Sequence, residues 1–156
     1  MPSVLLVGTP NSGKTALFNR LTGLNQRVAN YPGITVDLSI ARLAKLPEVD
    51  LVDFPGTYSL RPISEEERVA VVHFDTSLAD PDVQHLLCIV DATRLEKSLF
   101  FCLQVVDACQ RQGRPVTVVA NMGDILKRHG LSIEAEGLSQ AIGAPVLVAS
   151  ARTGEG

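Results

Sequence analysis

The sequence predicts an α/β fold: a mostly parallel six-stranded sheet with one antiparallel hairpin at its edge and helices on both faces. Three observations predict it. Apolar runs of strand length alternate with helical patterns along most of the 156 residues, which is typical of parallel strands joined by right-handed crossover helices. One segment instead alternates apolar and polar residues, the period of a half-solvated strand. A glycine-rich loop also lies between the first strand and the first helix, a position that suits an anion.

Four apolar runs are predicted as parallel strands separated by helices. The strands are predicted at 4–7, 86–90, 116–120 and Val146–Val148, and the helices at 14–21, 94–112 and 133–142. The longest helix is expected to begin at a capping box formed by Thr93 and Glu96 and to stop at Gly113 and Pro115. Its apolar stripe is expected to face the sheet and consists of Leu95, Leu99, Cys102, Leu103, Val106 and Cys109.

The hairpin is predicted between the first helix and residue 53. Val36, Leu38 and Ile40 alternate with polar or small residues, which indicates a strand with one solvated face. Residues 46–48 are expected to turn the chain back into an apolar strand at 49–52. A second capping box, Ser64 with Glu67, predicts a helix after the hairpin.

The glycine-rich loop reads Gly-Thr-Pro-Asn-Ser-Gly-Lys-Thr over residues 8–15, a complete phosphate-binding loop. In such a loop the backbone folds around a phosphate and the following helix points unpaired N–H groups at it. We expect Lys14 to reach the β- and γ-phosphates and the Thr15 hydroxyl to bind Mg²⁺. The predicted nucleotide contacts of this loop are Gly8, Thr9, Pro10, Asn11, Ser12, Gly13, Lys14, Thr15 and Ala16.

Two further elements are expected at the γ-phosphate. Asp53, at the end of an apolar strand, is suited to hold Mg²⁺, and the Gly56 backbone N–H can approach the phosphate because no side chain intervenes. Thr35, after Gly33 and Ile34, lies between these elements in sequence. Its hydroxyl is expected on Mg²⁺ and its N–H on the γ-phosphate, contacts that disappear on hydrolysis.

Base recognition is predicted at the ends of two later strands. Asn121, Met122 and Asp124 form a variant of the Asn-Lys-x-Asp guanine motif, with Met122 in place of Lys. The Asp124 carboxylate can accept from guanine N1–H and the 2-amino group, donors that adenine lacks. A last element follows the final strand, where a backbone N–H can bond guanine O6; it consists of Ser150, Ala151 and Arg152. Together the five elements predict a Ras-like P-loop GTPase domain that binds GTP and GDP.

Composition excludes several other functions. The net charge is −3 and no Lys/Arg cluster is present, which argues against a nucleic-acid partner. The apolar runs are far shorter than the ~20 residues that a bilayer span requires, so we expect no membrane insertion of this segment. The first residues lack the basic region of a secretion signal. Three cysteines without paired spacing suit a reducing cytosol.

Beyond the shared GTPase elements, the chain resembles the N-terminal G domain of the ferrous iron transport protein B (FeoB) family. The matching stretches are 11–19, 26–36, 53–60, 64–67, 90–99, Gln104 and 121–124. The parts that distinguish this family from other GTPases are Tyr58-Ser59-Leu60, the Glu-rich helix start and Met122. The chain departs from the family pattern at Ala29, at Tyr31 and in the short hairpin at 45–47.

The resemblance implies a function and a location. It implies that residues 1–156 are a cytoplasmic G domain at the bacterial inner membrane, the N-terminal part of a longer transporter. A helical domain and an Fe²⁺ permease would follow, and the G domain would regulate or power Fe²⁺ uptake. It also implies K⁺ activation, with Asn11 as a K⁺ ligand and carbonyls of residues 30–33 completing the shell. No Fe²⁺ site is expected among the isolated histidines or the cysteines.

Two alternatives remain open at this point. Ribosome-assembly GTPases share the Gly-x-Pro-Asn-x-Gly-Lys loop, although the basic face expected of an RNA-binding protein is missing. A guanine-nucleotide switch with negligible hydrolysis is the second alternative.

Thr57 follows Gly56 in place of the Gln that orients water in Ras-like enzymes, so any hydrolysis is expected to be slow. Asn11, Lys14, Thr35 and Gly56 are the predicted catalytic residues.

Overall fold

The computed structural model describes residues 1–23, 27–30, 37–61 and 63–156 of the chain. The strands are β1 (Ser3–Gly8), β2 (Arg27–Asn30), β3 (Asp37–Leu43), β4 (Leu46–Asp53), β5 (Val83–Asp91), β6 (Val116–Asn121) and β7 (Val146–Val148). The helices are α1 (Lys14–Thr22), α2 (Glu65–Ala79), α3 (Leu95–Arg111), α4 (Gly123–Arg128) and α5 (Ala135–Ile142), and a 3₁₀ turn at Ala92–Arg94 precedes α3. Within the described ranges, no helix combines the length and apolar character needed to cross a bilayer.

The strands form one mixed sheet in the order β2-β3-β4-β1-β5-β6-β7. Strands β4, β1, β5, β6 and β7 run parallel, whereas β2 and β3 are antiparallel to their neighbours. The predicted mixed architecture is confirmed, and β2 extends the antiparallel edge by one short strand beyond the six predicted. Nothing in the sequence pattern of four residues distinguished β2 from a loop.

The hairpin turn differs from the prediction. Leu43 pairs with Leu46, so Ala44 and Lys45 form the turn and residues 46–48 already belong to β4. Pro47 is tolerated in this strand because it lies at the exposed end of the hairpin, where a backbone donor is not needed for the sheet interior. The first residue of the predicted strand, Val36, lies outside the described residues.

Helices cover both faces of the sheet, as predicted. Alternate residues of β1 point to opposite faces: Leu5 and Val7 pack with buried residues of α2 and α3, whereas Leu6 packs with Leu17 and Phe18 of α1. All of these side chains are at most 8% exposed. The two cores hold the parallel strands in fixed register, and the loops after the carboxyl ends of β1, β4, β6 and β7 are the ones predicted to carry function.

The two capping predictions had different outcomes. Ser64 caps α2 as predicted: its Oγ accepts from the Glu67 N–H at 3.1 Å, and Glu67 Oε2 accepts from the Ile63 N–H at 2.8 Å. The predicted Thr93 cap of α3 is wrong. Asp91 Oδ1 takes the Thr93 N–H at 2.8 Å and the Thr93 hydroxyl at 2.5 Å, which holds a 3₁₀ turn before α3 begins at Leu95.

The buried face of α3 is rotated from the predicted stripe. Leu103 is 48% exposed, and Phe101 and Val105 are buried in its place beside Cys102 and Cys109. These buried positions still follow helical spacing, so the error concerned which side of a broadly apolar helix faces the sheet. All three cysteines are buried and free of disulfide bonds.

Candidate functional site

The predicted phosphate-binding loop connects β1 to α1 with two residues in the left-handed region. Asn11 has φ 63° and Gly13 has φ 83°. The Ser12 hydroxyl donates to the Thr9 carbonyl at 2.8 Å and fixes the turn. A Cβ on Gly13 would lie 2.1 Å from Asn121 Nδ2, so only glycine fits there. The next residue, Lys14, is the first residue of α1, and the N–H groups of the helix start therefore face the loop interior.

Lys14 and Asp53 meet at this loop although 39 positions separate them in sequence. Lys14 Nζ is paired with Asp53 Oδ1, and the two side chains are only 10% and 16% exposed. A cavity of about 360 Å³ opens beside Lys14 and is lined by Thr9, Pro10, Asn11, Gly13, Lys14, Thr15 and Gly56. Lys14 and Asp53 are therefore adjacent, and the exposed Thr15 lies on the wall of the cavity that Lys14 also lines.

Gly56 packs directly on the phosphate-binding loop. A Cβ on Gly56 would lie 3.1 Å from the Pro10 nitrogen and 3.2 Å from its Cα, so the absence of a side chain permits this close approach. The Thr57 N–H donates to the Gly8 carbonyl at 3.2 Å and the Phe54 N–H to the Leu6 carbonyl at 3.0 Å. These two bonds continue the β1–β4 pairing beyond the strands and hold Gly56 between them.

Asn121 joins the phosphate-binding loop to the last predicted element. Its side chain is buried, and Nδ2 donates to the Ser12 carbonyl at 3.0 Å. Its Oδ1 accepts from the Ala151 N–H at 2.9 Å. One amide group thus ties together three loops that lie far apart in sequence. Loss of this side chain would therefore leave one hydrogen-bonding group in each of the two other loops without its partner.

Asp124 is held by the last loop from both sides. Its Oδ1 accepts from the Ser150 hydroxyl at 2.9 Å, and its Oδ2 accepts from Arg152 Nε at 3.1 Å. The Ser150 hydrogen bond, followed by the contact with the Arg152 guanidinium, lowers the pKa of the Asp124 carboxyl below its usual range. The carboxylate is therefore ionised at neutral pH and able to accept two hydrogen bonds.

Met122 occupies a left-handed backbone position with φ 69°. Its Cε lies 3.6 Å from the position of a Cβ on Gly13, so the thioether lies over the phosphate-binding loop. Met122 also lines a second cavity of about 450 Å³ together with Thr9, Pro10, Asn11, Tyr58 and the start of α3. The side chain fills space between the guanine motif and the loop without adding a charge.

The structure describes most of the predicted site residues, and two residues outside the predicted site, Arg20 and Gln104, contact its loops. Gly33, Ile34 and Thr35 lie outside the described residues, and Ala16 is exposed on α1. Arg20 of α1 was missed: Nε donates to the Ala151 carbonyl at 2.5 Å, across 131 positions, and a second nitrogen to the Arg152 carbonyl at 2.8 Å. No sequence motif marks this contact. The second residue, Gln104, contacts the loop after Gly56.

Comparison with known proteins identifies the family of the chain. A family model described as ferrous iron transport protein B matches residues 2–156. The chain belongs to this family. The P-loop GTPase fold and the family resemblance are both confirmed, and the ribosome-assembly alternative has no support.

Individual FeoB relatives extend well beyond the chain. The Fe(2+) transporter FeoB of Leptospira biflexa is 36% identical over 156 residues, which is 99% of this chain and 21% of the relative. The transporter of Escherichia coli strain K12 is 40% identical, over 97% of this chain and 19% of its own length. This chain therefore spans about a fifth of the curated FeoB relatives that it matches. A crystal structure of NFeoB from S. thermophilus, bound to GDP·AlF₄⁻ and K⁺, superimposes with a TM-score of 0.81 at 40% identity, over 100% of this chain and 58% of that chain.

Proposed function

We propose that this chain is a GTP-binding and GTP-hydrolysing G domain that regulates or powers Fe²⁺ uptake through a permease domain of the same polypeptide. The observation that carries the proposal is the convergence of Lys14, Asp53 and Asp124 around loops that Asn121 ties together. At one end of this arrangement the Lys14 ammonium group could bind phosphates, and at the other end the Asp124 carboxylate could bind the guanine base. Family membership supports the same function.

Guanine binding would use the donors and acceptors of the last two loops. Asp124 presents two carboxylate oxygens that already accept hydrogen bonds from Ser150 and Arg152. Guanine N1–H and the 2-amino group are two donors that could bond to the same two carboxylate oxygens. Adenine lacks both donors and would leave the carboxylate poorly paired. The Ala151 region, held by Arg20, would face guanine O6, and Met122 would cover the loop beside the nucleotide.

Magnesium fits the oxygen ligands at the phosphate end. Thr15 and Asp53, with Thr35 from outside the described residues, would hold Mg²⁺, because hydroxyl and carboxylate oxygens are the ligands that this ion prefers. The pairing of Asp53 with the Lys14 ammonium supports this assignment, since the carboxylate is directed at a cation in the phosphate cavity. Bound Mg²⁺ neutralises charge on the β- and γ-phosphates. Lys14 would exchange its carboxylate partner for phosphate oxygens.

Asn11 is the residue that we assign to K⁺. It is exposed on the wall of the phosphate cavity, and its side chain makes no hydrogen bond to the described part of the chain. Its amide oxygen is a suitable hard ligand, and a monovalent cation beside the phosphates would stabilise charge that develops as the γ-phosphoryl group leaves. Carbonyls of residues 30–33 would complete the shell. The K⁺ in the S. thermophilus NFeoB structure supports this assignment by analogy.

Hydrolysis would rely on backbone groups because Thr57 follows Gly56. The Gly56 N–H and Thr35 would orient the attacking water, which makes slow turnover the expectation. In the full polypeptide a helical domain and the permease would follow, and this G domain would lie at the cytoplasmic face of the bacterial inner membrane. The length of the curated relatives supports additional domains.

The test compares GTP and ATP turnover with Mg²⁺ in KCl and in NaCl at equal ionic strength. We expect GTP to be hydrolysed in preference to ATP and faster in K⁺. Lys14→Ala should abolish nucleotide binding, whereas Lys45→Ala, in the hairpin turn at the opposite end of the sheet, serves as the charge-matched control. Asn11→Ala should remove the difference between the salts, and Thr35→Ala should slow turnover while it spares binding. Equal affinities for GDP and ADP would overturn the guanine assignment, and no turnover in either salt would leave a switch without hydrolysis.

Fe²⁺ uptake needs a separate experiment with the full-length polypeptide in cells. Lys14→Ala should stop uptake while the protein still reaches the membrane, and Lys45→Ala should retain it. Undiminished uptake by Lys14→Ala would refute the proposal that nucleotide binding controls transport.

A further inference from the structure

Residues 54–60 form an irregular segment that is fixed at both ends. At its start, the Phe54 and Thr57 N–H groups donate to carbonyls of β1 and of the phosphate-binding loop. At its end, the Leu60 N–H donates to Gln104 Oε1 of α3 at 2.7 Å, across 44 positions of sequence. Gly56 lies within the first attachment, between Phe54 and Thr57, and the Leu60 attachment holds the turn that follows directly after Thr57. The bond to Gln104 therefore restrains the chain on the far side of the Thr57 anchor beside Gly56.

One side-chain oxygen of Gln104 receives two donors from this segment. Besides the Leu60 N–H, the Ser59 hydroxyl donates to Gln104 Oε1 at 3.3 Å. Ser59 Oγ in turn accepts from the Arg61 N–H at 2.9 Å, and the Thr57 hydroxyl donates to the Ser59 carbonyl at 3.0 Å. These local bonds shape the turn internally. Among the side-chain hydrogen bonds of the described residues, only those of Gln104 connect the turn to the body of the protein.

Gln104 is a rigid point of attachment. It is half-buried in the middle of α3, a helix of 17 residues. Its neighbours Phe101 and Val105 are 2% and 0% exposed in the core between α3 and the sheet. Leu60, whose N–H it receives, packs against the same core. Movement of the amide oxygen would therefore require α3 to shift or the side chain to leave its rotamer.

We propose that Gln104 is a positioning residue for GTP hydrolysis, which aims the Gly56 backbone N–H at the γ-phosphate by fixing the far end of residues 54–60. This inference rests on the proposed GTPase function. Gln104 does not line the phosphate cavity, so its effect belongs to the catalytic step and not to nucleotide binding. A 1 Å displacement of a catalytic donor is sufficient to slow a reaction severalfold or more.

The test uses three variants of the chain. Gln104→Met removes the acceptor with little change in shape, and Gln104→Glu keeps an acceptor oxygen at the same distance along the side chain. Gln110→Met is the matched control: Gln110 lies on the same helix and donates Nε2 to the Gly143 carbonyl at 3.1 Å, remote from the loop. Steady-state GTP turnover in KCl with Mg²⁺ gives kcat and KM, GDP binding gives Kd, and thermal unfolding gives Tm.

We expect Gln104→Met to lower kcat about fivefold to tenfold, the effect of one lost hydrogen bond, with little change in KM or in Kd for GDP. Gln104→Glu and Gln110→Met should retain the kcat of the parent. Hydrogen exchange should be faster at the Leu60 amide in Gln104→Met, and this readout identifies the contact independently of turnover. If Gln104→Met does not fold, Gln104→Asn withdraws the same oxygen and takes its place.

Three results would overturn the inference. Turnover by Gln104→Met at the parent rate would show that the attachment does not affect catalysis. An equal loss in Gln104→Met and Gln104→Glu would show that the acceptor is not the cause. A parallel fall of Tm and kcat in Gln110→Met would indicate a general effect of α3 stability. If the parent itself has no turnover, the proposed GTPase function fails and this inference fails with it, whereas the first three results leave the proposed function intact.

Discussion

Substitution of Asn121 tests the coupling between the two ends of the candidate site. Asn121 is 3% exposed and makes two hydrogen bonds, one to the Ser12 carbonyl at 3.0 Å and one from the Ala151 N–H at 2.9 Å. Asn121→Ala removes both and leaves a buried donor and a buried acceptor without their partner. At about 1–2 kcal/mol for each, the free energy of unfolding should fall by roughly 2–4 kcal/mol.

The expected change is large enough to measure by thermal unfolding. For a domain of this size, 1 kcal/mol corresponds to roughly 2–4 °C, so Asn121→Ala should lower Tm by about 4–16 °C. Asn121→Asp separates the two bonds, because the carboxylate can accept from Ala151 but cannot donate to Ser12. It should destabilise the chain and also weaken GDP binding, since a negative charge would lie next to the phosphate-binding loop.

If Asn121→Ala unfolds within about 1 °C of the parent, which is less than 0.5 kcal/mol, and binds GDP with unchanged affinity, the two hydrogen bonds do not couple the loops. Asn19→Ala on α1, which replaces a less buried amide, controls for the general cost of losing an asparagine.

Further predictions concern specificity, packing and pH. Asp124→Asn should relax the preference for GDP over ADP in competition binding, and an unchanged preference would contradict the role of Asp124 in base recognition. Gly13→Ala should greatly weaken GDP binding measured by calorimetry, because the new Cβ would overlap Asn121 Nδ2 at 2.1 Å. His73 is 7% exposed with neither ring nitrogen hydrogen-bonded within the described ranges, and burial lowers its pKa, as it does that of His85. The unfolded chain therefore binds more protons than the folded chain below about pH 6.5, and the free energy of unfolding should fall as the pH decreases through that region. Denaturant unfolding should show a less steep fall in His73→Phe.

Local patterns made much of the fold and site predictable. Residues 8–15 carry their own signal, because the glycines, Lys14 and Thr15 act within one turn of chain between a strand and a helix. The parallel strands were equally clear, because short, continuous apolar runs are typical of strands that are buried on both faces of a parallel sheet. The order of the motifs then predicted that Lys14 and Asp53 would belong to one nucleotide site, because the carboxyl ends of parallel strands share one edge of the sheet.

The features that could not be predicted depend on competition between neighbouring capping side chains or on contacts between residues far apart in sequence. The predicted cap at Thr93 failed because Asp91, two residues earlier, captures both the Thr93 N–H and its hydroxyl. The contacts of Arg20 and Gln104 join residues 131 and 44 positions apart through side chains of common type. Only tertiary packing brings these partners together, so no local pattern could have predicted them.

The pairing of Lys14 with Asp53 implies a reciprocal linkage between an anion and a cation at this site. A single ammonium group cannot neutralise the carboxylate and a phosphate equally well at the same time. When a phosphate group captures Lys14, Asp53 becomes a negative charge in a largely enclosed position, 16% exposed, that attracts a replacement cation. If both ligands bind as proposed, each would raise the affinity for the other by the same factor, as thermodynamic reciprocity requires. Under the proposed roles of Lys14 and Asp53, the ion pair would make joint occupancy by nucleotide and divalent cation more favourable than occupancy by either one alone.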